Sequence, residues 1–273
     1  MPLRAQEQLQ RMRDRVLANA RLEEGDRLLD VGCGDGLIGF GALQLVGQNG
    51  RVVFSDISQN LVDRCRKTAR VAGVSDRCSF LIASAEDLAA VDDSSVDVVT
   101  TRSVLIYVAR KKDSFAEFYR VLRPGGRVSI FEPINKFLQS LEPAHEFAGY
   151  DMEPIGELWT KVKEVFDQQE SPRIAPMLDF DERDLLTMAS QVGFRDCQLT
   201  FEVKIGPQET ADWDAFYNSS GNPLAPTLKE AVEEALDRAE QTRFIEHLRP
   251  LVEVGQGTLR RAGAFLAATK SVP

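Results

Sequence analysis

The residues best placed to do chemistry lie in one short run, Leu28-Leu29-Asp30-Val31-Gly32-Cys33-Gly34-Asp35-Gly36. An apolar stretch delivers alternate glycines into the start of a helix. Glycine lets the backbone turn sharply and still admit a ligand within van der Waals contact, and the helix N-terminus beyond favours negative charge. Two patterns overlap here. Gly32-x-Gly34-x-Gly36 is one, and Gly34-Asp35-Gly36-Leu37-Ile38-Gly39 satisfies the dinucleotide pattern; a plain tight turn before a helix is a third reading. Asp56 closes the next apolar run, 20 residues beyond Gly36. A carboxylate there can accept two hydrogen bonds from a ribose diol, or it can simply be an acid at a helix start ahead of Ser58.

Register and charge separate the ligands. A dinucleotide pattern begins at the end of its strand, whereas its first glycine here falls two residues late. Asp30 closes the strand, where its carboxylate can accept a hydrogen bond from a ligand ammonium or orient the loop. A pyrophosphate is repelled by Asp30 and Asp35, but a sulfonium amino acid carrying an amine is not. The residues therefore favour S-adenosylmethionine over NAD, with an NAD-dependent oxidoreductase as the rival reading.

The surrounding elements have to hold these groups. Arg4 to Ala20 reads as an amphipathic helix with Leu9, Met12, Val16 and Leu17 near one face. Strands are expected at Arg27–Val31, Arg51–Ser55, Cys78–Ala83, Val96–Thr101 and Arg127–Glu132. A helix is expected from Leu37 to Val46, and another after an N-cap at Ser58, carrying Leu61, Val62, Cys65 and Ala69. Ser114-x-x-Glu117 predicts a capping box, and Pro124-Gly125-Gly126 a tight turn. This alternation argues for a doubly wound, mostly parallel sheet. After Glu132 the rhythm breaks into an irregular and helical stretch, 134–178. A helix over Asp181–Gln191 and a strand over Cys197–Ile205 return the chain to the sheet (179–206). A second, helix-rich interruption spans 207–258, and Ala262–Thr269 makes the last strand within 259–273. The division expected is thus a cofactor-binding half, 1–133, with two insertions forming one helical cap.

In order along the chain stand Leu29-Asp30-Val31-Gly32-Cys33-Gly34-x-Gly36, Asp56, Ala85-Glu86-Asp87-Leu88 and Arg120-Val121-Leu122-Arg123-Pro124-Gly125-Gly126. These stations, over about residues 25–133, resemble the class I S-adenosylmethionine-dependent methyltransferases, and among them the ubiquinone/menaquinone C-methyltransferase-like group. The resemblance implies a Rossmann-like seven-stranded sheet with an antiparallel last strand. It implies that Asp30, Gly32 and Gly34 line the methionine portion of the cofactor, with Cys33 and Gly36 in the same loop. It further implies that Asp56 holds the ribose with Ile57 beside it, that Ala85 and Glu86 flank the adenine, and that Thr101, Arg102 and Ser103 lie under the cofactor. The 207–258 insertion departs from the shortest family members, so their acceptors do not carry over.

Methyl transfer from a sulfonium is a direct displacement to O, N or C, in which orienting the nucleophile is the main task; a base is needed only where the nucleophile must lose a proton. His145, Arg102, Tyr107 and Glu132 are the candidates for such chemistry. His145 competes with a surface role, and the other three with structural pairing. His247 reads as an ordinary helix residue, and Arg110-Lys111-Lys112 as a solvated loop. Trp159, Phe166, Trp213, Phe216 and Tyr217, all in the insertions, either line a pocket for a flat, partly apolar acceptor or form ordinary core.

The net charge of −9 makes nucleic acid a poor partner, which weighs against an RNA methyltransferase. Thr100-Thr101-Arg102-Ser103 stands where methylation of nucleobase or glutamine amino groups would call for an Asn-Pro-Pro-Tyr-like tetrapeptide; a protein methyltransferase stays a rival. Cys33, Cys65, Cys78 and Cys197 form no C-x-x-C pair, so reduced thiols are expected and no metal site. Neither an apolar leader nor a membrane span is legible, and the expected location is the cytoplasm. Oligomeric state is left open.

Overall fold

The computed structural model describes residues 3–220 and 225–272. It divides into two compact units. One comprises Met1–Pro133, Phe180–Phe201 and Gly263–Pro273; the other comprises Ile134–Asp179 and Glu202–Ala262.

In chain order, helix α1 (Leu3–Ala20) precedes strand β1 (Arg27–Val31), α2 (Leu37–Leu45), β2 (Arg51–Asp56), α3 (Gln59–Val71), β3 (Cys78–Ile82), β4 (Val96–Arg102), α4 (Lys111–Val121) and β5 (Leu122–Pro133). Next come α5 (Asn135–Leu141), a two-residue hairpin of β6 (Glu146–Phe147) and β7 (Tyr150–Asp151), and α6 (Gly156–Leu178). The chain continues through α7 (Glu182–Val192), β8 (Phe194–Pro207), α8 (Trp213–Tyr217), α9 (Leu228–Ala235), α10 (Arg238–Val254) and β9 (Thr258–Lys270).

In the first unit the sheet order is β3-β2-β1-β4-β5-β9-β8. β1 to β5 are parallel, and β9 runs antiparallel to β5, from Thr269 opposite Arg127 to Gly263 opposite Pro133. This is the Rossmann-like doubly wound α/β fold. Strand order reverses between β1 and β4, and in such sheets ligands bind at the carboxyl ends beside that reversal. The central strands are apolar runs because both faces are covered: Leu28, Leu29, Val52, Phe54, Val98 and Val99 are buried. Val16, Leu17 and Ala20 of α1 join Ile38 and Ala42 of α2 and Cys65 of α3 in one cluster, and the Ser129 hydroxyl of β5 donates to the Val16 carbonyl at 2.7 Å.

Several local expectations give way to tertiary partners. Ser114 opens no helix. α4 starts at Lys111, Ser114 is buried with its hydroxyl unpartnered among the described residues, and the Glu117 carboxylate accepts instead from the Leu88 amide (2.7 Å) and from Arg120. Nor is 110–112 a solvated loop. Lys111 is buried, its ammonium donates to the Val108 carbonyl (2.8 Å) and stands 4.8 Å from the Phe180 ring centroid. Ser58 occupies the N-cap position of α3 without a side-chain capping bond. The Pro124-Gly125-Gly126 turn lies inside β5: Leu122 pairs with Val96, the chain bulges out, and pairing resumes at Arg127 opposite Val98.

The second unit is helical around its own core, with Tyr150, Trp159, Val162, Trp213, Phe244 and Leu248 among the buried residues. Trp213 and Tyr217 belong to this packing, as does partly buried Phe216. Capping boxes start α9 at Thr227 with Glu230, and α10 at Asp237 with Glu240. The hairpin of β6 and β7, in a stretch read as irregular and helical, is stabilised by partners remote in sequence. The Thr258 amide donates to the Gly149 carbonyl at 2.8 Å, and Arg260 pairs with Glu146. His247 sits on α10 with Nε2 2.7 Å from the Asp151 carbonyl oxygen, a structural contact. Among the described residues no helix is long and apolar enough to cross a membrane.

Candidate active site

The glycine loop leaves the carboxyl end of β1 and is held from below by Asp30. This carboxylate is 1 % exposed; it accepts the Gly39 amide of α2 at 2.9 Å and the Thr100 hydroxyl of β4 at 3.0 Å. Of the two roles considered for Asp30, the contacts are those of an orienting group. Burial pushes its pKa up to about 7 against the Thr100 and Gly39 hydrogen bonds and the Arg102 charge.

Gly32 and Gly34 have φ of +63° and +57°, a region that side chains adopt at a cost. Their surroundings differ. A Cβ on Gly32 would lie 2.2 Å from Cγ2 of Val104, whereas a Cβ on Gly34 would meet nothing within 4 Å. Gly32 is therefore small for packing, and Gly34 forms an open crest. That crest is fixed on both sides. Its amide donates to Asp56 Oδ2 at 2.9 Å, and its carbonyl accepts the Cys65 thiol at 3.3 Å. Cys33 anchors the loop to β2 through its amide and the Ser55 carbonyl (2.9 Å). Gly36 is the residue before α2 and has no side chain to cap it; within the first turn the Gly39 amide is taken by Asp30.

Asp56 ends β2, and its second oxygen accepts the Ser58 amide at 2.9 Å. Between them Ile57 is 76 % exposed, an apolar side chain beside the loop with no packing to explain it. Ala85 is buried. Glu86 accepts the Arg110 amide at 2.8 Å, and its own amide donates to Ser84 Oγ. At the end of β4 the Thr101 hydroxyl is buried with no hydrogen-bond partner among the described residues. Ser103 holds φ of +56°, strain of the kind that collects at ligand sites.

Glu132 lies on β5, fully buried. Its carboxylate accepts the amides of Val104 (2.9 Å), Leu105 (3.0 Å) and Ile106 (3.1 Å). Three successive donors fold the segment after β4 around it, and the same segment supplies Val104 to Gly32. Burial pushes the Glu132 pKa up to about 7, opposed by those amides. Arg102 is half-buried, and Tyr107 is 45 % exposed. The Tyr107 hydroxyl is shifted up by burial and by the Glu132 charge, against Arg102. His145, exposed in the second unit, contributes a carbonyl to the Met152 amide.

The first unit thus gathers Asp30, the glycine loop, Asp56, Ile57, Thr101, Arg102 and Ser103 at the carboxyl ends of β1, β2 and β4. Three supporting residues had been missed in the sequence: Thr100, Val104 and Cys65. Only Thr100, a polar residue inside an apolar strand, left a visible signal. The Gly34 crest, the orphaned Thr101 hydroxyl and exposed Ile57 fit a ligand that combines an amino acid, a ribose and a flat base. Among the described residues no cluster of His, Cys, Asp and Glu suits a metal.

A site of this kind on a sheet of this order defines an S-adenosylmethionine-dependent methyltransferase. The comparisons agree. Residues 22–175 match the family model described as Methyltransferase domain. The chain is similar to the ubiquinone/menaquinone biosynthesis C-methyltransferase UbiE of Yersinia enterocolitica, 30% identical over 177 residues that cover 64% of this chain and 68% of the relative. Among solved structures, an S-adenosylmethionine-dependent methyltransferase of Aquifex aeolicus superposes with a TM-score of 0.50 at 15% identity, over 94% of this chain and 88% of the other. A phosphoethanolamine N-methyltransferase of Haemonchus contortus gives 0.52 at 16% identity, over 96% and 52%; at such identities the likeness is one of fold. The chain belongs to the class I methyltransferase family, and its cofactor is S-adenosyl-L-methionine. The oxidoreductase reading is set aside.

Proposed function

We propose that the chain transfers a methyl group by direct displacement to O, N or C of a small, partly apolar acceptor, with the Gly32–Gly36 loop and Asp56 holding the cofactor. The observation that carries this is the Gly34 crest, open above and fixed by Asp56 and Cys65. When bound, S-adenosylmethionine supplies an electrophilic methyl carbon on a sulfonium.

The chain's own residues bind and orient. Each Asp56 oxygen retains a lone pair beyond its amide bond and can accept a ribose hydroxyl. Ile57 offers an apolar face to adenine, and Ala85 and Glu86 are assigned to its edge. The start of α2, ahead of the Gly39 amide that Asp30 takes, is assigned to the ligand carboxylate, and Thr101, Arg102 and Ser103 are assigned to the floor. Glu132 is assigned a positioning role, shaping 104–106, rather than that of a base. Arg102 and Tyr107 remain the proposed groups for contact with the acceptor, and His145 the proposed base for acceptors that must lose a proton.

A cavity of about 510 Å³ in the second unit supports a flat, partly apolar acceptor. Phe147, Trp159 and Phe166 line it, with Phe147 stacked on Phe166 at 5.9 Å between centroids. Lys163, Asn135 and Gln139 add polar positions. The free thiols fit a reducing compartment such as the cytoplasm.

The experiment is methyl transfer from radiolabelled S-adenosylmethionine to a panel of phenols, hydroquinones, aromatic amines and aliphatic amines. Turnover confined to flat aromatic acceptors is expected, and it should fall on Phe147→Ala. Turnover confined to aliphatic amines would overturn the acceptor class.

A further inference from the structure

We infer that this chain forms a two-fold dimer by antiparallel pairing of β8 with β8 of a second copy, centred on Val203. Strand β8 closes the sheet and is hydrogen-bonded to β9 on one side only. Its other row of backbone groups faces no strand among the described residues. From Glu202 to Ile205 all four residues are exposed. Two of them are large and apolar, Val203 at 41 % and Ile205 at 58 %, an unusual composition for a solvated edge.

The occupant follows from the order of residues. Phe201-Glu202-Val203-Lys204-Ile205 is complementary to itself when read antiparallel. A two-fold axis through Val203 sets Glu202 opposite Lys204 of the partner subunit and Lys204 opposite Glu202 of the partner subunit. It also sets Phe201 opposite Ile205 of the partner subunit, on the face that Val203 shares. Opposite charges directly across an antiparallel pair attract and like charges repel. Neighbouring registers lack this match. An axis through Glu202 opposes two glutamates, one through Lys204 opposes two lysines, and a half-step shift sets Val203 against Lys204 and Glu202 against Ile205. The side chains therefore select one register. Pro207, which has no amide hydrogen to give, ends the strand, where it limits pairing to this segment. This rests on the edge strand and not on the identity of the acceptor.

Light scattering coupled to gel filtration, and sedimentation equilibrium, on the full chain test it. The wild-type chain is expected at twice the monomer mass, dissociating as salt is raised. Lys204→Glu places four carboxylates in the strand pair and should halve the mass, as should Glu202→Lys by the converse. The double variant Glu202→Lys/Lys204→Glu restores the match and should restore the dimer. Circular dichroism and binding of S-adenosylhomocysteine should be the same in all four, since these positions are exposed. A monomeric wild type overturns the inference. So does a dimer that survives both single variants, or a double variant that stays monomeric.

Discussion

The Gly34 amide donates to the Asp56 carboxylate at 2.9 Å across 22 residues of sequence, tying the crest of the glycine loop to the end of the neighbouring strand. Asp56 thereby shapes the loop and, with its remaining lone pairs, is proposed to hold the ribose. Asp56→Ala should weaken binding of S-adenosylhomocysteine by roughly 1–3 kcal/mol, the scale of a lost charged hydrogen bond. Isothermal titration is the measurement, and an unchanged affinity would refute the ribose assignment.

The two glycines should separate packing from binding. Gly34→Ala costs roughly 1–2 kcal/mol for the left-handed conformation but meets no protein atom, so the fold should survive while cofactor affinity drops. Gly32→Ala carries a similar backbone cost and also drives a methyl group into Val104, adding about 1–3 kcal/mol of overpacking. Thermal unfolding should show the larger loss for Gly32→Ala. Equal losses would mean that Val104 yields freely.

Glu132→Gln replaces an acceptor-only carboxylate with an amide that must turn its NH₂ toward at least one backbone donor. A destabilisation of about 1–3 kcal/mol is expected, together with weaker cofactor binding through the displaced 104–106 segment. The pH dependence of kcat should keep its shape, since Glu132 is assigned no proton transfer. Loss of one limb of that profile would instead make Glu132 a base.

Stability should fall as pH rises toward neutrality through Asp30 and Glu132. Burial raises both groups to about 7 in the folded chain, above the range near 4 that they have when unfolded. Between those values the native state binds more protons than the unfolded state, so stability from these groups is full below about pH 4 and lost as pH passes about 7. Asp30→Asn, which cannot titrate, should flatten the part of the Tm-against-pH slope due to this residue. Identical slopes in wild type and variant would remove Asp30 from the account.

The sheet and the glycine loop were legible because they rest on local and periodic signals. Apolar runs mark strands buried on both faces, and glycine spacing marks the turn. The helix of 182–192 was equally readable, since Asp181 and Asp184 form a true capping box and Gly193 a left-handed C-cap. Ser114 and Glu117 spell the same kind of signal, but the Leu88 amide and Arg120 claim Glu117. Lys111 read as solvated, yet its stem is buried with its charge on the Val108 carbonyl. The hairpin of β6 and β7 left no trace in its own residues, because its partners, Thr258 and Arg260, come more than a hundred residues later.

By itself the sequence determined the fold class and the cofactor, since each is marked by residue type and spacing within a strand or turn. Tertiary structure decided what those residues do. It turned Asp30 inward to Thr100 and Gly39, committed Glu132 to three amides, and left Gly34 open where Gly32 is packed. The physical reason is that a carboxylate or a glycine acquires its role from the donors and atoms brought to it from other strands, and burial makes those contacts strong enough to override local preference.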